Sequence, residues 1–499
     1  MTDSKIKQVV IVGGGTAGWL SAALLVKVLG KAINITLVES EQVGTIGVGE
    51  ATIPPIVDFN RALGIDEKEF LSATNGTIKL GISFEDWTGI GDSYMHAFGG
   101  VGKNLAFCDF HHLWLRSRNL GNNKPFGHYS LNYRAACANK FAKLNNIQGT
   151  NLPGLVYAYH FDAGLYAKLL RRISEAQGVK RIEGFIEQVT TNDESGFVEE
   201  LHLRDGQVIK GDLFIDCSGL AALLIDKTLN TGFEDWSHWL PCDRAVAVPS
   251  KSIDELRPYT RSIARSAGWQ WQIPLQHRLG NGLVYSSKYL SDEEASQQLL
   301  QGLDSEALEK PRVISFKTGR RLKQWHKNVV SIGLSSGFLE PLESTSIHLI
   351  QTAVTRLIKF FPNTGIKQCE VDEFNNQSKA EYESVRDFII LHYKINKRSD
   401  TKFWRDCQRM DIPTSLAAKI SLFKQSGKVF NNYNELFTDI AWQQVMLGQG
   451  LIPDDYHPMA DTLTVEQISD LMTSLDTLIE RTVESVPTHQ QFLGDTDSN

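Results

Sequence analysis

Residues 8–18 read QVVIVGGGTAG, and this stretch decides the fold. Gln8–Val12 is a short apolar run stopped by glycine, the pattern of a parallel strand buried on both faces. Residues 16–29 (TAGWLSAALLVKVL) are apolar almost all round, as a helix packed beneath a sheet must be. Residues 34–38 (NITLV) form a second strand that ends at Glu39. Together they make a βαβ unit with Gly13-x-Gly15-x-x-Gly18 at its first turn. Gly13 permits the turn, Gly15 lets the backbone approach a pyrophosphate, and Gly18 lets the helix pack closely on the strand. The amides of Thr16, Ala17 and Gly18 open the helix and attract the anion. Glu39 stands 21 residues after Gly18, where a carboxylate accepts a ribose hydroxyl.

Working outward, two later segments repeat the strand-into-glycine pattern: DLFIDCSG (212–219) and NVVSIGLSSG (328–337), the second followed by a helix over about 344–361. Strand pieces this far apart indicate one dinucleotide domain assembled discontinuously, and they tilt the dinucleotide towards FAD. Segments 78–84 and 181–203 are β-rich, and the chain turns helical beyond about residue 360. The expected class is α/β: a Rossmann-like FAD-binding domain of the flavin monooxygenase type, a β-rich insertion for substrate and a helical C-terminal part. The expected partition is residues 1–100 with 150–360 for the cofactor, and 101–149 with 361–499 on the substrate side.

Composition narrows the partners. Of 499 residues 42% are hydrophobic and 22% charged, with a net charge of −7. An acidic balance without a lysine or arginine block argues against nucleic acid and anionic membranes. The six cysteines are scattered, with no Cys-x-x-Cys pair, as expected for reduced thiols that bind no metal. No apolar run reaches the roughly 18 residues of a membrane span, and a cytoplasmic protein is expected.

Three further motifs carry chemistry. Gly268-Trp269-Gln270-Trp271-Gln272-Ile273-Pro274 sets two tryptophans at strand spacing, so both point the same way. In TIKLGISFEDW (77–87), Ile78, Leu80, Ile82 and Phe84 alternate with Lys79, Gly81, Ser83 and Glu85, which puts Lys79 on the less apolar face of a half-buried strand. A solvated lysine guarding a strand edge is the plain alternative. The third is Ser336-Gly337-Phe338-Leu339-Glu340-Pro341-Leu342-Glu343-Ser344-Thr345-Ser346-Ile347, whose last residues begin a helix able to attract an anion.

From Val9 to about Pro458 the chain resembles the flavin-dependent tryptophan halogenases, through Gly-Trp-x-Trp-x-Ile-Pro and a segment similar to Glu-Pro-Leu-Glu-Ser-Thr-Gly, with Ser346 in place of the last glycine. The resemblance implies that a separate reductase supplies diffusible FADH2, that oxygen and a bromide or chloride co-substrate yield hypohalous acid, and that the family's homodimer is expected. It gives Lys79 the role of aiming the halogen, by hydrogen bonding or as a haloamine, and places Glu343 beside the substrate carbon. Thr345 and Ser346 would hold the halide through their amides. If Ser346 needs a left-handed backbone, serine costs more than glycine there. Trp269, Trp271 and Pro274 belong to the motif thought to disfavour direct oxygenation. By the same resemblance Gly49 and Ala51, in Val48-Gly49-Glu50-Ala51-Thr52-Ile53-Pro54, touch FAD, as do Val189, Gly333, Leu334 and Ile347.

On the substrate side, Met95-His96-Ala97-Phe98-Gly99 resembles the segment that sets His96 and Phe98 at the indole, and Leu436-Phe437 stands where the family has a Phe-Trp pair. Enzymes acting on free tryptophan carry a Tyr-Tyr stretch and a glutamate that grip the amino-acid end, and SGKVFNNYNELF (426–437) has no equivalent. Indole, an indole derivative or a larger tryptophan-bearing molecule in a more open site is therefore the expected substrate. An NAD(P)H-using aromatic monooxygenase and a non-catalytic flavin-binding protein remain as alternatives.

Overall fold

The structure is a computed structural model that describes residues 5–42, 49–431 and 435–497. The chain clusters into two units: residues 1–76, 161–238 and 316–383 in the first, residues 77–160, 239–315 and 384–499 in the second.

The first unit is built on the βαβ element. Strand Gln8–Val12 lies between Asn34–Glu39 and Leu213–Asp216, and the last of these pairs with Val329–Ser331, all in parallel. Lys180–Glu183 and Trp325–His326 complete a six-stranded sheet at its two edges. Parallel strands need both faces covered, and Val9, Val10 and Ile11 are each at most 1% exposed. Helix Thr16–Leu29 supplies one cover, buried from Gly18 to Val26, and packs against helices Ala163–Ala176 and Ser346–Lys359. The antiparallel sheet of Ile186–Thr191, Val198–Leu203 and Val208–Lys210 closes a core with Val10, Val12 and Phe214. The α/β class and the helical C-terminal part are as expected.

The second unit centres on a seven-stranded sheet in the order Arg312–Ser315, Arg244–Lys251, Arg278–Tyr285, Gly268–Pro274, Thr260–Arg265, Gly81–Glu85, Ser93–Ala97. The tryptophan strand Gly268–Pro274 is an interior strand and is buried at every residue. Because residues 260–265 pair with 81–85, the inserted β region clusters with the lysine-bearing segment. The clustering thus divides the chain elsewhere than at residues 100, 150 and 360.

Trp271 needs room on the neighbouring strand, where it stands opposite Gly282. A Cβ on Gly282 would come 2.0 Å from the Trp271 ring. Gly282→Val is accordingly expected to destabilise the protein by about 1–3 kcal/mol through overpacking, read as a lower denaturant midpoint. An unchanged midpoint would mean that the ring moves aside freely.

Candidate active site

The cofactor residues come together in the first unit. Gly13 adopts φ +111°, and a Cβ there would lie 2.3 Å from the Cys217 carbonyl oxygen, so only glycine fits this turn. Gly18 lies so close under Gly13 that a Cβ would reach its carbonyl at 1.8 Å. Gly15 is different: nothing lies within 4 Å of its missing Cβ, and as N-cap of helix Thr16–Leu29 it places no side chain on the first amides. A helix start without a side-chain cap, beside an open glycine, is a cradle that fits a pyrophosphate. Glu39 is oriented by the Arg181 guanidinium, by Arg171 at 3.7 Å and by the Trp19 indole N–H, which donates at 3.4 Å. A carboxylate has about four acceptor positions, so capacity for a ribose hydroxyl remains. These residues fit FAD.

The other expected cofactor contacts also lie in this unit. Ala51 is buried in strand Gly49–Ala51, and Val48 falls outside the described residues. Val189 pairs with Leu201 and packs against the core. Leu334 lies in the turn Gly333–Ser335, and Ile347 is buried at the second position of helix Ser346–Lys359.

Between Gly49 and Ala51 sits Glu50, whose carboxyl is raised to about 7, first by burial and then by Asp162. The folded protein keeps this proton up to about 7, whereas the unfolded chain releases it near 4.5. Stability associated with Glu50 is therefore present at low pH and lost as pH rises through that window. Glu50→Gln should flatten the decline, gaining roughly 1–3 kcal/mol on wild type at pH 8. Urea midpoints measured from pH 4.5 to 8 provide the check, and parallel curves would contradict it.

Pro341–Glu343 forms a single tight turn, and Glu343 is 1% exposed. Ser344 follows in the left-handed region, with φ +59°, and Thr345 is the N-cap of the helix that starts at Ser346. The left-handed residue is thus Ser344, and Ser346 has ordinary helical backbone, so the serine-for-glycine change carries no left-handed penalty. The reason is local: Ser344 takes the reversal that lets the helix begin two residues later than the hydrophobic pattern suggested.

The second unit holds Lys79 and the aromatic residues. Lys79 ends strand Thr77–Lys79, opposite Ala158, and is 0% exposed. Alternation predicted a half-buried strand, but this strand is buried at all its residues. The Lys79 Nζ stands 5.3 Å from the Phe98 ring centroid, within cation–π range. Beside it His160 is locked in one tautomer. Thr77 donates its hydroxyl proton to the Pro274 carbonyl at 2.7 Å, so it accepts from His160 Nδ1, 3.0 Å away. Nε2 then accepts from the Thr260 hydroxyl at 2.9 Å. Burial, and after it the charges of Lys79 and His489, hold the His160 imidazole well below its ordinary pKa, consistent with a neutral ring.

An aromatic cage completes this half. Phe437 stacks on Phe388 at 3.8 Å, Trp442 meets Phe388 edge-on at 4.8 Å, and His96 lies 5.6 Å from Phe388 and 6.3 Å from Phe437. Gln444 pins helix Asp439–Gly448 to this wall by bonding both the N–H and the carbonyl of Ala97. Trp269 and Trp271 are both buried, with ring centroids 6.2 Å apart. The structure thus gathers His96 with Phe437 and sets Phe98 at Lys79. Sequence reasoning missed Phe388, Trp442 and His160. Phe388 sits inside a long helical pattern, and His160 and Thr77 are 83 residues apart, so spacing gave no signal for either.

One unit holds a dinucleotide cradle, and the other holds a buried lysine against Phe98 and a cluster of aromatic rings, features that suit a flavin-dependent halogenase. The chain belongs to the tryptophan halogenase family, whose model matches residues 8–465. It is 34% identical to tryptophan 6-halogenase ThaL of Streptomyces albogriseolus, over 96% of this chain and 97% of that one. Among solved structures it is similar to Xcc4156, a flavin-dependent halogenase from Xanthomonas campestris, with TM-score 0.96, 48% identity and 99% of each chain covered. BrvH, a flavin-dependent halogenase from Brevundimonas sp. BAL3, matches with TM-score 0.95 and 46% identity, again over 99% of each chain. Membership of this family takes the place of the monooxygenase and non-catalytic alternatives. No helix among the described residues is long and apolar enough to cross a membrane.

Proposed function

We propose that this protein halogenates the ring of indole or an indole derivative lacking a free amino-acid end, using FADH2 from a separate reductase in the cytoplasm. The observation that carries this is the fully buried Lys79 against Phe98, since burying a lysine is costly and needs a use. Gly13, Gly15, Gly18 and Glu39 would hold the FAD. When bound, reduced FAD supplies the two electrons with which oxygen and halide become water and hypohalous acid. The amides of Thr345 and Ser346 hold the halide at the helix start. Lys79 takes up the hypohalous acid and aims its halogen at the ring, while His96, Phe98 and Phe437 hold that ring in place. As the carbon–halogen bond forms the oxygen–halogen bond breaks, the hydroxide is protonated and leaves as water, and Glu343 accepts the ring proton. The aromatic cage supports an indole ring, and the absence of a Tyr-Tyr stretch before Phe437 favours a substrate without the amino-acid end.

The test is mass spectrometry of reactions with a flavin reductase, NADH, FAD and bromide, with indole and free tryptophan in parallel. Brominated indole in at least tenfold excess over bromotryptophan is expected. Equal turnover would overturn the substrate choice, and hydroxylated product would overturn the reaction.

A further inference from the structure

We propose that the half-buried ion pair of Lys419 and Glu435 beside the aromatic cage selects substrate by charge, turning away arenes that carry an ammonium group. This rests on the cage being the substrate site.

Lys419 projects from helix Thr414–Ser426, and its Nζ lies 2.6 Å from Glu435 Oε2, with the two side chains only 13% and 12% exposed. The same ammonium stands 4.2 Å from the centroid of Trp442 and 3.3 Å from Asn431 Oδ1. Asn431 in turn donates to the Phe437 carbonyl at 2.6 Å. Trp442 and Phe437 are the rings that flank Phe388. The pair is therefore built into the frame of the cage.

An aromatic face with a carboxylate beside it is what a protein offers an ammonium ligand. Here both halves of that arrangement exist, and the protein's own lysine fills it. A substrate ammonium would find the tryptophan face covered, the carboxylate neutralised and a like charge a few ångströms away. A neutral indole meets none of these obstacles. Asp439, which interacts electrostatically with both Lys419 and Glu435, is a poor substitute: burial and then Asp109 already raise its carboxyl.

Ion-pair selection has a signature that a purely structural role lacks. Removing either partner should move selectivity in opposite directions. Lys419→Met removes the cation beside Glu435, and Glu435→Gln removes the carboxylate beside Lys419. The experiment measures kcat/KM for indole, tryptamine and indole-3-acetate under reductase, FAD and bromide, and reads ratios to indole, so a general loss of activity cancels.

In Lys419→Met the tryptamine-to-indole ratio should rise at least tenfold over wild type. In Glu435→Gln that ratio should fall, and the indole-3-acetate-to-indole ratio should rise at least fivefold. The double variant, neutral and well matched in volume, should lose both gains, and it keeps the test usable if one single variant does not fold. Ratios within twofold of wild type in every folded variant would overturn the proposal. A wild-type protein that brominates none of the three would instead overturn the functional reading beneath it.

Discussion

A Lys79→Met protein is expected to bind FAD with wild-type affinity and to brominate its arene about 10²–10³-fold more slowly, the usual loss when a preorganised polar group at a reaction centre is removed. Methionine is the informative replacement because Lys79 is wholly buried and alanine would add a cavity to the chemical change. The Phe98 ring flanks the lysine, and an apolar, unbranched side chain of nearly the same length fits against it. Flavin fluorescence titration gives the affinity, and product formation at saturating FADH2 and bromide gives the rate. A variant that halogenates normally with FAD bound would remove Lys79 from the mechanism.

Glu343→Gln should leave arene and FAD binding nearly intact and lower kcat by about 10²–10⁴-fold, the range for a lost general base. Glutamine keeps the size and leaves the neighbouring left-handed Ser344 undisturbed, so the difference reports the carboxylate itself. Glu343 is 1% exposed and sits immediately ahead of the turn that starts helix Ser346–Lys359, which fixes its backbone on both sides. Single-turnover product formation is the measurement, and a loss of less than fivefold would mean that another group, or water, takes the ring proton.

The cofactor half of the protein was legible in the sequence because its information is local. Gly13, Gly15, Gly18 and Glu39 fall within one βαβ element, and the strands at 213–216 and 329–331 announce themselves by glycine, the first registering beside Val9–Val12 and the second beside the first. The substrate half was legible only in part. The sequence singled out Phe437 and His96 but not Phe388 and Trp442, which cluster with them and come from helices whose apolar positions look like any core. Alternation placed Lys79 on a less apolar face, which fails when neighbouring elements cover both sides of a strand. The Lys419–Glu435 pair reads in sequence as two ordinary surface charges, and only the structure shows the lysine half-buried over Trp442.

The hydrogen bond from Thr77 to Pro274 has a practical meaning for anyone wishing to change which ring carbon receives the halogen. It ties the strand that carries the lysine to the end of the tryptophan strand, and His160 with Thr260 secures the same joint. In the mechanism we propose, the halogen donor is thus a fixed tool and the arene the movable workpiece. Altered site selectivity should be sought by reshaping the walls at His96, Phe388, Phe437 and Trp442, which turn the ring, whereas substitutions around Thr77 and Pro274 should misalign the tool for every substrate alike.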